Sequence, residues 1–184
     1  MEGTSIGILS IDTAMSSEEI RLPQPDELSS REKEDAMGAY FMMFAAWAIG
    51  LPLPVLNLIA AFIYFMIHRK KSRFVAFHSH QSLISQLPVT AANLIAIIWL
   101  INIIFTGFRF GSFYFPPRFF VFLGFMVVLN ILYLVYSIIA LVKARKGQFF
   151  YIPLFGRLSF VHYYGPNAKP LENPPEPNRP PEGF

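Results

Sequence analysis

The chain has 184 residues, of which 54% are hydrophobic, 16% aromatic and only 15% charged, for a formal net charge of +3. A soluble domain has about a quarter of its residues charged, so this balance excludes a monomer stable in water. The absence of cysteine removes disulfides, thiolate zinc sites, iron–sulfur clusters and cysteine nucleophiles together.

Residues 1–35 form an acidic arm. Nine acids and three bases sum to −6 there, so with +3 overall the remainder carries +9. An acidic start whose apolar part begins only after Met37 argues against a secretory signal. The arm is expected to be solvated and to end in a short helix from Ser29 or Ser30. From Ala36 through Leu171 there is no Asp or Glu. General acid–base pairs, hard-cation cages and most proton relays are built on carboxylates, so a carboxylate-driven pump or membrane hydrolase is excluded. No enzyme is expected, and no cofactor.

Residues 36–147 read as an all-α integral membrane domain of four apolar helical segments, flanked by extended N- and C-terminal arms. Ala39–Gly50 and Val55–Ile67 are separated by LPLP, whose prolines each remove an amide donor and block regular helix just ahead of themselves. The two segments form either a helical hairpin turning at Leu51–Pro54 or one kinked span. The third segment runs from about His78 to Phe108 and overshoots a 30 Å core, so its first turns are expected at headgroup level. The fourth, Arg118 to Lys143, is a clean span. An aromatic post-membrane segment, 148–165, leads to a proline-rich tail, 166–184, expected to be extended and polyproline-like.

Lysine and arginine in short loops set the orientation. The clusters Arg69, Lys70, Lys71, Arg73 and Lys143, Arg145, Lys146 belong on one side, expected to be cytoplasmic. The loop GFRFGSFYFPPRFF suits an interfacial aromatic belt opposite. A hairpin puts both termini on the cytoplasmic side; one kinked span puts the acidic arm outside. Binding of anionic headgroups is the ordinary accompaniment of such basic loops.

Polar residues inside the apolar runs are the candidates for function. His78 and His80 are two apart, about 200° round a helix, and cannot chelate one ion. His78, Gln81, Ser82 and Ser85 instead follow the i, i+3, i+4, i+7 spacing and make one stripe, flanked by Gln86. In or near lipid such a stripe must face a partner helix, a water-filled crevice or the interface, and interhelical hydrogen bonding is the simplest use. Its mates are expected near the ends of segments two and four, while His80, on the opposite face, is expected to tolerate alanine. Asn57, Asn93, Asn102, Thr106 and Asn130 sit singly, a pattern of helix–helix hydrogen bonding. Asn93 and Asn102, about 180° apart, share no lining. No Gly-rich phosphate loop, Ser–His–acid set or His-x-x-x-His pair is present.

The stretch SRFVAFHSHQSLISQ resembles the F-V-x-x-H-x-x-Q-A-L-x-x-Q signature of a bacterial domain-of-unknown-function family, small multi-pass proteins similar to the twenty-kilodalton channel component of the chloroplast Tic translocon. Phe74, Val75, His78, Gln81, Leu83 and Gln86 fall on the pattern, with Ser82 for its alanine. Upstream, Pro54 and Asn57 match P-x-x-N; downstream, Lys143, Ala144, Gly147 and Pro153 match K-A-x-x-G-x-x-x-x-x-P. The resemblance covers roughly Tyr40 to Arg157 and implies a four-helix membrane domain with both termini on one side.

These features point to a non-enzymatic integral membrane protein, an accessory or structural subunit packing against larger membrane partners. A transport or protein-translocation channel component of Tic-like kind is the alternative. The partners expected are the lipid bilayer and other membrane subunits, with no nucleic acid. The expected location is the bacterial inner (cytoplasmic) membrane, multi-pass, with the C-terminus cytoplasmic.

Overall fold

The computed structural model describes residues 22–44, 54–165 and 178–181. All regular elements among them are helical. Helix α1, Ser30–Phe41, starts at a capping box: the Ser29 hydroxyl accepts from the Glu32 amide, and the Glu32 carboxylate accepts from the Ser29 amide at 3.0 Å. It continues into a 3-10 turn, Met42–Phe44. Helix α2, Pro54–His68, begins on a proline, whose missing amide costs nothing in a first turn. Helix α3, Arg73–Phe110, is capped by the Ser72 hydroxyl and stops at Gly111, φ 68°. Helix α4, Pro117–Arg145, returns antiparallel to it, and helix α5, Phe155–Tyr164, follows.

The end of α4 shows why a glycine stands at position 147. The Gln148 amide donates to the Lys143 carbonyl at 3.0 Å and the Gly147 amide to that of Ala144 at 2.9 Å, the paired bonds of a Schellman cap. The cap needs the left-handed φ of 73° found at Gly147. A Cβ there would also sit 2.9 Å from Lys33 Cε and 3.1 Å from Pro25 Cα, so the glycine admits the N-terminal arm against the end of α4.

These elements divide into a stalk and a head. In the stalk, the second half of α3 and the first half of α4 pair through the Trp99 contacts with Phe119 and Phe122. Their outward faces are bare hydrocarbon, with Phe108 at 77% and Val121 at 74% exposure. Water would penalise such a surface at about 25 cal/mol per Å², whereas lipid covers it. The core lies in the head, where Leu22 and Leu28 of the arm, Tyr40 of α1, Phe74 and Phe77 of α3, Ala140 and Ala144 of α4, Phe149, Ile152, and Phe160 of α5 pack together.

Four apolar segments were expected, the first two as a hairpin or as one kinked span; among the described residues two helices, α3 and α4, are long and apolar enough to cross a membrane. The physical reason is length. Helix α2 has 15 residues, about 22 Å, against a core of about 30 Å. The first apolar segment opens inside α1, a helix that begins with charged residues and runs across the expected boundary at Asp35. Of the proposed turn, residues 51–53 lie outside the described residues. At the other end, α3 has 38 residues, about 57 Å. Its excess length is enclosed by protein, because α1, the post-α4 segment and α5 cover residues 74–82.

The proline-rich tail also departs from expectation at Asn178, which is buried to 3% exposure. Its Oδ1 accepts from the Phe149 amide at 2.9 Å, while its Nδ2 donates to the carbonyls of Pro23 at 2.7 Å and Gly147 at 2.8 Å. Its main chain exchanges hydrogen bonds with the Gln24 side chain. One amide side chain thus ties the tail, the N-terminal arm and the end of α4 together. Asn178→Ala leaves buried groups of the N-terminal arm and of the end of α4 without partners and is expected to lower stability by about 2 kcal/mol. Thermal unfolding in mild detergent measures this, and an unchanged melting temperature would show the latch to be energetically idle.

Candidate functional site

The sequence stripe forms a buried polar network in the head. His78, Gln81, Ser82, Ser85 and Gln86 are each at most 2% exposed. Gln81 Nε2 donates to the Tyr40 hydroxyl at 2.8 Å and to the Phe150 carbonyl at 3.0 Å, and Gln81 Oε1 accepts from the Ile152 amide at 3.4 Å. Tyr40 Oη lies 3.0 Å from His78 Nδ1. Since that hydroxyl accepts from Gln81, its proton goes to Nδ1, which puts the proton of a neutral His78 on Nε2. Ser82 Oγ donates to the Ala39 carbonyl at 2.8 Å. The mates therefore come from the segment just past the end of segment four, as expected, and from α1 in place of segment two. They do so because α1 and residues 149–152 wrap the first turns of α3.

His80 is not free on the far side. Its Nδ1 lies 2.9 Å from Ser159 Oγ and its ring stacks on His162 with centroids 5.1 Å apart, because α5 lies across the face that the sequence left vacant. Alanine at His80, expected to be tolerated, would remove both the Ser159 hydrogen bond and the His162 stack. Pro153 and Gly147 occupy the connection from α4 to α5, where the Pro153 carbonyl accepts from the Phe155 amide. Asn57 lines a cleft described below.

The basic residues Arg69, Lys70, Lys71, Arg73, Lys143, Arg145 and Lys146 are all exposed at the head. Lys71 Nζ pairs with Asp35 Oδ2 at 2.8 Å and Lys143 Nζ donates to Gln148 Oε1 at 3.1 Å. The Ser29 hydroxyl, its largest cause, holds the Glu32 carboxyl below its usual range. Burial raises the Tyr163 and Tyr164 phenols, opposed by Arg69 and Arg73 respectively.

A second polar feature, expected from the sequence only as single helix–helix hydrogen bonds and not as a site, lies in the head-proximal half of the stalk. Asn93 and Asn130 exchange two side-chain hydrogen bonds, each 3.1 Å, between α3 and α4. Above this pair a cleft of about 560 Å³ opens between α2, α3 and α4. The signal was available: Gln86, Thr90 and Asn93 continue the stripe at i+4 and i+7, and Asn130 and Tyr133 face it at i+3. Comparing Asn93 only with Asn102 hid it. Among the described residues no group of three or more His, Cys, Asp or Glu side chains could hold a metal ion.

The magnetosome magnetite crystal formation protein family matches the chain over residues 34–159, well over half its length. That match overturns the resemblance to the Tic-like family: the three short blocks that carried it were helix caps and a buried polar stripe, features that any small helical bundle of this packing requires. No curated protein and no solved structure matches the chain.

Gln81→Leu is expected to lower thermal stability by about 2 kcal/mol, because it strips partners from Tyr40, Phe150 and Ile152 inside the head. Added zinc or a chelator is expected to leave that loss unchanged, and a chelator-dependent melting temperature would contradict a purely hydrogen-bonded role.

Proposed function

We propose a role from one premise: the chain belongs to the magnetosome magnetite crystal formation protein family. Our reading is a non-enzymatic membrane subunit of that process, held in the bilayer by α3 and α4. It packs against larger membrane partners through its head and arms. The family match carries this reading, since it runs from α1 into α5 and so takes in both stalk and head. Two observations support it. The stripe side chains Gln81 and Ser82 are engaged with backbone and tyrosine groups that hold the head together, the use expected of structural polar residues. The stretch 36–171 offers no carboxylate for acid–base chemistry.

For location we propose a bacterial membrane continuous in type with the inner membrane. The basic head would face the cytoplasm, as the positive-inside rule requires of its seven exposed lysines and arginines. The latch at Asn178 supports the same side for residues 178–181. The loop after Gly111 would face the opposite compartment.

Deletion of the coding sequence in a cell that forms magnetosomes is expected to change the size or shape distribution of its magnetite crystals in electron micrographs, and the wild-type chain is expected to restore it. Unaltered crystals would sink the reading. Copurification from those membranes in mild detergent is expected to recover further membrane proteins, whereas a lone monomer would remove the word subunit.

A further inference from the structure

The cleft above the Asn93–Asn130 pair is chemically unusual for its position. Its volume of about 560 Å³ is that of a small-molecule site. Gln86 lines it, is 2% exposed, and has no hydrogen-bond partner on either Oε1 or Nε2. The Tyr133 hydroxyl lies beside the Gln86 and Ser137 side chains, yet neither of these makes a hydrogen bond of good geometry. A buried amide with both ends open is destabilising, and native proteins satisfy such groups. Every other amide of the stripe region is paired: Gln81 with Tyr40, Asn93 with Asn130. Gln86 is the exception, and its side chain borders the cleft with both amide atoms closed to solvent.

We propose that this cleft binds an uncharged lipid whose head carries both a hydroxyl and a carbonyl, as a diacylglycerol does, with Gln86 as the residue that reads it. The lining sets the charge. No lysine, arginine or carboxylate is among its described residues, so a phosphate or an ammonium head would be desolvated without a counter-charge. The open amide sets the polar pattern: Oε1 needs a donor, which the hydroxyl supplies, and Nε2 needs an acceptor, which the carbonyl supplies. A head with acceptors alone leaves Oε1 unmet. The packing sets the exit for the tails. Among the described residues α2 and α4 each pack on α3 but make few contacts with each other, which leaves the gap between them as the exit. Phe44 and Leu134 make its apolar walls.

The test uses the full chain in detergent micelles with a diazirine-bearing dioctanoylglycerol, and maps the adducts by peptide mass spectrometry. Adducts are expected between Gln86 and Leu134 on the facing sides of α3 and α4. Unlabelled dioctanoylglycerol is expected to compete about tenfold better than dioctanoyl phosphatidic acid, which has the same tails, as one buried hydrogen-bonded group would produce. Gln86→Leu is expected to cut labelling by about tenfold while keeping or raising the melting temperature of lipid-free protein, since it removes an unsatisfied amide. Leu134→Trp, which fills the cleft from a more exposed wall, is expected to give the same loss should the first variant misfold. Equal competition by phosphatidic acid, adducts scattered along the outer face of α4, undiminished labelling of Gln86→Leu, or no labelling because only water fills the cleft would each overturn the proposal.

Discussion

The position of Gln81 organises the head. One amide on the third turn of α3 donates to Tyr40 from α1 and to the Phe150 carbonyl, and accepts from the Ile152 amide. Three segments distant in sequence are thereby fixed to one point at zero exposure. The low local dielectric makes each bond stronger and each loss more costly, so the network selects one arrangement of α1 and of the post-α4 segment over others of similar apolar burial. The rings of Phe74, Phe77 and Phe149 close around His78 at centroid distances of 4.5, 5.0 and 5.8 Å and keep water from competing for these bonds.

That arrangement explains why the aromatic core sits at one end of the molecule. Between two helices in lipid there is little hydrophobic driving force, because the tails are as apolar as leucine. The stalk is accordingly held by a ring contact set around Trp99 and by the reciprocal Asn93–Asn130 amide pair, worth about 1 kcal/mol in such a setting. Where water reaches the chain, burial of phenylalanine and tyrosine regains its value, and the core of the head forms there. The Asp35–Lys71 pair and the Asn178 latch lie on the outside of that core, where long polar side chains close the seams between arm, helix ends and tail.

How much of this could be read in the chain depends on range. Spans are local, and the start at Ser29 or Ser30 and the long apolar runs announced α1, α3 and α4, whereas the caps at Ser72 and Gly111 were not among the expectations. The stripe His78, Gln81, Ser82 and Ser85 was equally plain, because helical spacing alone puts those residues together. Its partners were not, since nothing within ten residues points to Tyr40 or Phe150. Asn178 looked like one more polar residue in a proline-rich run, and only the geometry of three chain segments makes it a latch. Among the described residues only α3 and α4 are long enough to cross, because hydropathy does not distinguish an apolar helix that crosses lipid from a shorter one, such as α2, that leans on α3. The Tic-like resemblance failed for a related reason: short blocks of caps and stripe residues report packing, which unrelated bundles share.

The stripe on α3 is one face in three environments. At the first turns it meets protein on every side, and each amide and hydroxyl finds backbone to bond. At Asn93 it meets a matching amide from α4. Between these, α2 is held on α3 and α4 is held on α3, but among the described residues little joins α2 to α4, so Gln86 borders a cleft instead of a packed neighbour. A sequence selected only for packing would put leucine there, since an apolar residue of similar size avoids the cost of an open amide at no loss of contact. The glutamine is therefore best understood as belonging to what enters the gap, in the way that Gln81, five residues nearer the head, belongs to the segments that close it.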